Sequence, residues 1–367
     1  MQILYCLFFV FIAVFSSCQN DNSKTKLLAN NTDSLPENKS FFEFTKPLNG
    51  SQLVVNSKVI IELKKIINNC VYDSILLTIE GDKITTLLPN SLSFEWDSKK
   101  SKLGKQQVVA SVYNKGEKIQ STSLVLFILS DTKPVEYSYK ILKVYPHSRE
   151  AYTQGLIYEN GYFYESDGEY RKSALRKVKL ETGESTQTVS LEPNIFAEGL
   201  ALCKNKLFQL SWREQTCFVY DKTTFKLERK FNYSLSEGWG LEFNGEYFLA
   251  TDGSSFIYFM EPENFTEVSH IQVVDDEGSI ESINELELIN GQLFANVYTK
   301  NIVLIIEPST GKVLGRIDFT GLLPKSDYTE STDVLNGIAW NPANGHLFIT
   351  GKNWPKLFEI TIEKKIK

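Results

Sequence analysis

The sequence predicts an all-β protein, a five-bladed β-propeller preceded by a small β-sandwich of immunoglobulin-like size. Three observations carry this. Five times in the C-terminal two-thirds, a polar or aromatic residue stands directly before a Gly-Leu-like pair: Gln154-Gly155-Leu156, Glu198-Gly199-Leu200, Trp239-Gly240-Leu241, Asn284-Glu285-Leu286 and Asn336-Gly337-Ile338. The pairs recur at intervals of 41 to 52 residues, each opening a stretch that alternates apolar and polar. A repeat of that length holding several short strands is the mark of a four-stranded propeller blade. The second observation is an aromatic content of 13%, with 24 Phe and 17 Tyr, which favours strands over helices. The third is that residues 41–132 read as strands but lack the repeat.

From the N-terminus, residues 3–15 form an unbroken apolar run, too short to span a bilayer and suited to a signal h-region. It ends at Phe15-Ser16-Ser17-Cys18, and residues 19–39 are polar. This resembles a bacterial lipoprotein signal, although no Lys or Arg precedes the apolar run. The expectation is a signal peptide over 1–18 with a lipidated Cys18, then a polar linker over 19–40. It also implies a periplasm-facing place in the cell envelope, with the lipid as the only membrane attachment.

Next comes the sandwich, 41–132, with strands expected at 53–63, 74–79, 91–96, 106–113 and 121–129, between Gly, Asn, Asp and Ser breaks. It shows no cluster of titratable groups, so a spacer or docking module is the reading. Asp131-Thr132-Lys133-Pro134 reads as the linker to the propeller, 137–365.

A net charge of -6 without a Lys/Arg stripe argues against nucleic acid. With Cys6 in the signal and Cys18 lipidated, Cys70, Cys203 and Cys217 remain, with no C-x-x-C pair, so no zinc cluster is indicated. Cys203 and Cys217 fall on strands either side of 207–212. That separation is about 9.6 Å, beyond the roughly 7 Å a disulfide tolerates, so buried thiols are expected. His147, His270 and His346 have no ligand spacing and read as packed or solvated.

Within each repeat the first strand follows the Gly-Leu pair, and an antiparallel neighbour returns to the same mouth. Two rings therefore face one opening. The first holds Gln154, Glu198, Trp239, Asn284 and Asn336. The second holds Ser166-Asp167, Trp212, Asp252, Tyr298 and Lys352. A lone carboxylate near indoles can shuttle one proton, Lys352 and amide N–H groups can stabilise an oxyanion, and Trp212, Trp239 and Tyr298 can face an ammonium. The constellation fits acyl transfer on a small amine-bearing substrate. The bland readings are blade packing for Trp212 and Trp239 and turn capping for Asn284 or Asn336. No nucleophile elbow is present.

The pieces Tyr152-Thr153-Gln154-Gly155-Leu156, Phe196-Ala197-Glu198-Gly199-Leu200, Glu237-Gly238-Trp239-Gly240-Leu241, Asp252-Gly253-Ser254-Ser255 and Asn284-Glu285-Leu286-Glu287 resemble the plant and bacterial glutamine cyclotransferases. So do Asp333-Val334-Leu335-Asn336-Gly337-Ile338-Ala339 and Thr350-Gly351-Lys352-Asn353-Trp354-Pro355-Lys356-Leu357-Phe358. The resemblance covers residues 138–362. It implies a metal-independent, cofactor-free glutaminyl cyclase on a five-bladed propeller, turning N-terminal glutamine of peptides and proteins into pyroglutamate and ammonia. It further implies Glu198 as the proton shuttle, and Asn284 and Lys352 as the groups that polarise the γ-carbonyl. Gln154, Trp212 and Trp239 would orient the substrate, with Tyr152, Phe196, Tyr298 and Asn336 completing the pocket. This chain departs from the family pattern at Tyr152 (usually Phe), Ala197 (Gly), Asp167 (Thr) and Tyr298 (Trp). Two other readings compete: a non-catalytic, lipid-anchored propeller binding a peptide or partner protein, and a metal-dependent lactonase or quinoprotein-like propeller, for which only Glu198, Asp252 and Asp167 offer acidic ligands.

Overall fold

The computed structural model describes residues 40–365, so the expected signal, Cys18 and nearly all of the expected linker lie outside the described residues. Apart from two short 3-10 turns, Ser98–Lys100 and Lys325–Asp327, every regular element described is a strand.

The repeat is built from antiparallel four-stranded meanders. Five first strands, Thr153–Glu159, Ala197–Cys203, Leu241–Phe243, Ile283–Ile289 and Leu335–Asn341, each open one. The first three meanders are separate sheets, whereas the fourth and fifth belong to one eight-stranded sheet. Val135–Pro146, at the start of this region, supplies the outermost strand of the fifth meander by pairing antiparallel with the last strand, Lys356–Lys364. It also pairs in parallel with Val313–Asp318 of the fourth. The two ends of the region are thus zipped together.

The first strands touch in succession, and the fifth touches the first, so they form a closed ring. The hydrophobic clusters explain why. Leu156, Phe163 and Val178 of the first meander pack with Ala339, Phe348 and Leu357 of the fifth. Leu175 of the first packs with Leu207 and Phe218 of the second, and Phe208 of the second with Phe248 and Phe265 of the third. A twisted meander has two apolar faces and no interior of its own, so burial requires a neighbour on either side.

The recurrent glycines follow from this crowding. A Cβ on Gly155 would lie 2.5 Å from the Leu200 nitrogen, one on Gly199 2.5 Å from the Leu241 nitrogen, and one on Gly240 2.0 Å from the Asn284 carbonyl oxygen. Each glycine is where the next first strand crosses backbone to backbone. In the fourth meander Glu285 takes this place. Its buried side chain accepts the N–H of Ile338 at 2.9 Å and that of Leu156 at 3.4 Å, tying the fifth and first meanders together.

The N-terminal region forms a three-stranded and a five-stranded sheet over one core that includes Phe42, Ile61, Ile75, Leu77, Val108, Leu126 and Ile128. The strand expected over 53–63 is two strands, Ser51–Val54 and Lys58–Lys65, which belong to different sheets. Asn56, at φ 64, makes the turn between them, a conformation Asn tolerates better than most residues. The strand Asp82–Leu87 was not anticipated. The expected linker is tied down: Lys312 pairs with Asp131 at 2.6 Å and Ser130 N–H donates to the Asp275 carbonyl at 3.0 Å. Cys203 and Cys217 are buried free thiols. His147 packs against Glu165 at 2.9 Å, while His270 and His346 pair with Glu267 and Glu359.

Candidate active site

At one end of the ring, the starts of the first strands and the ends of their partners close around a cavity of about 250 Å³. It is lined by Tyr152, Gln154, Phe196, Glu198, Trp212, Trp239, Asn284, Tyr298 and Lys352. The local device is a bulge. The register between first and second strands slips between Thr153 and Gly155, Ala197 and Leu200, Ile283 and Leu286, and Leu335 and Ile338. An extra residue in one strand re-aims the side chains beside it. Here it turns Gln154, Glu198 and Asn284 inward.

Four expected ring members are elsewhere. Ser166 is buried, donating to the Glu198 carbonyl and accepting from Gln209. Asn336 does not line the cavity. It is fully buried behind it, donating to the Thr153 carbonyl at 2.9 Å and to Gln154 Oε1 at 3.5 Å, and so braces the first meander. Asp167 is buried in an ion pair with Arg176 at 2.5 Å. Asp252 is held by Ser254 and Tyr258. For Asp167 the cause is one residue of register. It pairs with Thr153 as Ser211 pairs with Ala197 and Gly351 with Leu335, so Gly168 is the counterpart of Trp212 and Lys352. A Cβ on Gly168 would fall 2.6 Å from the Phe196 ring, whose edge fills that place.

Glu198 is 5% exposed and Lys352 3%. Burial drives the Glu198 carboxyl well above the usual carboxylate range; Lys352 opposes this, and Glu237 and Glu214 add to it. Burial likewise lowers the Lys352 ammonium, against Glu198 and Asp333. Each charge therefore sits where its neutral form is favoured by desolvation, which suits groups that exchange protons. Gln154 donates to Glu198 at 3.0 Å and fixes one carboxylate oxygen. The Lys352 nitrogen lies 4.7 Å from the centre of the Tyr152 ring and 5.2 Å from that of Tyr298. Such contacts hold an ammonium without neutralising it. The side-chain oxygen of Asn284 is buried without a hydrogen-bond partner on this wall.

Sequence reasoning missed two carboxylates that set the walls. Glu237 accepts from the indole N–H of Trp212 at 2.8 Å and from that of Trp239 at 2.9 Å on the same oxygen, while Arg213 holds its other oxygen at 2.9 Å. Its place two residues before Trp239 was the available signal. Asp333 accepts the Tyr152 hydroxyl at 2.9 Å, a bond that Phe could not make. Trp239 and Tyr298 meet edge to face at 5.3 Å, and Phe196 meets Trp212 at 5.5 Å. Among the described residues no group of three or more His, Cys, Asp or Glu side chains is arranged to hold a metal ion.

A family model for glutamine cyclotransferase matches residues 110–362. A glutaminyl-peptide cyclotransferase of Arabidopsis thaliana is 37% identical over 230 residues, covering 61% of this chain and 71% of the relative. The crystal structure of Myxococcus xanthus glutaminyl cyclase superposes with a TM-score of 0.60 at 38% identity, covering 64% of this chain and 100% of that one.

Proposed function

The chain belongs to the glutamine cyclotransferase family, and from that premise we propose that its cavity converts the N-terminal glutamine of peptides and proteins to pyroglutamate with release of ammonia. The observation that carries this reading is the meeting of Glu198, Asn284 and Lys352, three side chains remote in sequence, on one small aromatic-walled cavity. Glu198 takes a proton from the substrate α-ammonium. The freed amine attacks the γ-carbonyl carbon, forming the ring C–N bond, while Lys352 and Asn284 stabilise the oxyanion. Collapse breaks the C–N bond to the amide nitrogen, Glu198 returns its proton there, and ammonia leaves. The ring nitrogen loses its extra proton to solvent. Ring closure is intramolecular, so holding the side chain folded removes much of the barrier, and an indole-lined wall suits the incoming ammonium.

In this reading the reaction is an aminoacyl transfer that needs no metal, and Gln154, Trp212, Trp239, Tyr152, Phe196 and Tyr298 orient the substrate, with Asn336 supporting Gln154. The test is ammonia release from a Gln-initiated dipeptide, with and without EDTA. Loss of activity in EDTA sinks the metal-free mechanism. Binding without ammonia release would favour the silent, ligand-binding alternative.

The five meanders are read as the five blades of one propeller, 137–365, and 41–132 as a sandwich spacer domain. The closed succession of first strands supports the blade count. The apolar run before Cys18 supports a lipid-anchored, periplasm-facing protein. Growth with labelled fatty acid tests this: label should enter the chain and vanish in Cys18→Ser.

A further inference from the structure

A cleft of about 600 Å³ lies between the N-terminal sheets and the third and fourth meanders, and it shares no lining residue with the Glu198 cavity. Its walls carry Lys99, Lys100, Lys102, Lys105 and Lys312 against a single lining carboxylate, Glu80. In a chain of net charge -6 this is a local reversal of sign. Only Lys312 has an acidic partner among the described residues, Asp131 at 2.6 Å. Glu80 is engaged by the Gln107 N–H. Crowded ammonium groups repel one another, and a cleft with low-dielectric walls concentrates their field.

The cleft is also built. Gln272 Oε1 accepts the Lys105 N–H at 2.9 Å, and its amide nitrogen donates to Ser255 at 2.9 Å, so one side chain fixes the lysine loop to the third meander. Gly104, at φ +87, admits this contact; a Cβ there would lie 1.9 Å from Gln272 Oε1. Facing the lysines are the half-buried Phe256 and Ile271. On that side Glu267 is paired with His270, and Glu307 accepts the hydroxyl of the lining Thr310.

We propose that this cleft is a second binding site, for an organic anion carrying two or more phosphate groups, its phosphates on the lysines and its apolar body on Phe256 and Ile271. Lysine supplies the compact point charge that phosphate oxygens accept, and an apolar wall with convergent charges is the usual make-up of a small-molecule site.

The test is calorimetric titration of the purified full chain with tripolyphosphate and with adenosine triphosphate, at low and raised salt. Saturable binding of both at low salt, weakened by salt, is expected. Adenosine triphosphate should bind at least about fivefold more tightly, because its base covers apolar surface. The triple variant Lys99→Ala, Lys100→Ala, Lys102→Ala, whose side chains are exposed, should lose at least about tenfold in affinity for both while releasing ammonia from a Gln-initiated dipeptide at the wild-type rate. Absence of saturable binding, or unchanged affinity in the variant, overturns the site. Equal affinity for the two probes overturns its assignment to an organic anion.

Discussion

Glu198 and Glu285 occupy first strands of the same ring and are both buried, yet they are solvated by the protein in opposite ways. Glu285 is surrounded by backbone: its carboxyl takes the N–H groups of Ile338 and Leu156 and holds three meanders together. Glu198 faces a cavity, has one amide donor from Gln154, and feels Lys352 across the opening. Burial raises both carboxyls well above the usual range. A displaced proton affinity alone therefore does not mark a catalyst. What separates the two is whether an outside atom can reach the carboxyl and whether a second charge waits beside it.

Substitution by the isosteric amide separates them most sharply. Glu198→Gln is expected to lower kcat/KM for a Gln-initiated dipeptide by about 10²- to 10⁴-fold, the usual worth of a general acid–base group, without loss of stability. Glu285→Gln should leave kcat within about twofold, because the new amide oxygen still accepts an N–H. Equal activity losses in the two variants would erase the distinction. The pH profile sharpens it. Since Glu198 must begin ionised and its carboxyl is raised, the acid limb of kcat/KM should lie above the ordinary carboxylate range.

Removing the acceptor altogether reverses the order. Glu285→Ala leaves two buried N–H groups without a partner, each costing about 1–3 kcal/mol, so denaturant titration should show a loss of several kcal/mol. A loss below about 1 kcal/mol would mean that the ring closes without this tie.

Glu237 lies between the two cases, outside the reacting atoms but charged and close to them. Glu237→Gln keeps one acceptor for two indoles and removes a negative charge that raises Glu198. We expect about a tenfold fall in kcat/KM, carried mostly by KM, and an acid limb moved to lower pH. A fall with an unmoved limb would reduce Glu237 to a structural support.

The difference between short-range and long-range signals also decides what was legible in the sequence. The repeated pairs could be read because three of them, at Gly155, Gly199 and Gly240, record a local fact, a strand crossing so close that a Cβ is excluded. From their spacing the ring and most of the cavity lining followed. Gly168 was invisible for the converse reason. It has no side chain to mark it as the partner of Trp212, so Asp167 was assigned its place. The turn at Asn56 interrupts an alternating run that scans as one strand. Glu237 and Asp333 act through hydrogen bonds to side chains whose positions are set only when the meanders close. The pairing of Val135–Pro146 with the last strand spans most of the repeat region and leaves no local trace.

The smallest expected effect concerns the layer beneath the cavity, where Glu242 and Glu287 face each other across the third and fourth first strands. Burial pushes Glu242 up to about 7 and raises Glu287 well above its ordinary value. A carboxyl whose folded pKa is raised binds a proton on folding. Its contribution is complete below the unfolded value of 4.5 and is lost as pH climbs through about 7. Glu242→Gln cannot lose that proton. Its stability relative to wild type should therefore grow between pH 5 and pH 8, readable as a widening gap in Tm. Parallel Tm curves across that interval would show that Glu242 stays ionised in the folded chain, and that the axis differs from the Glu198 site by less than its burial implies.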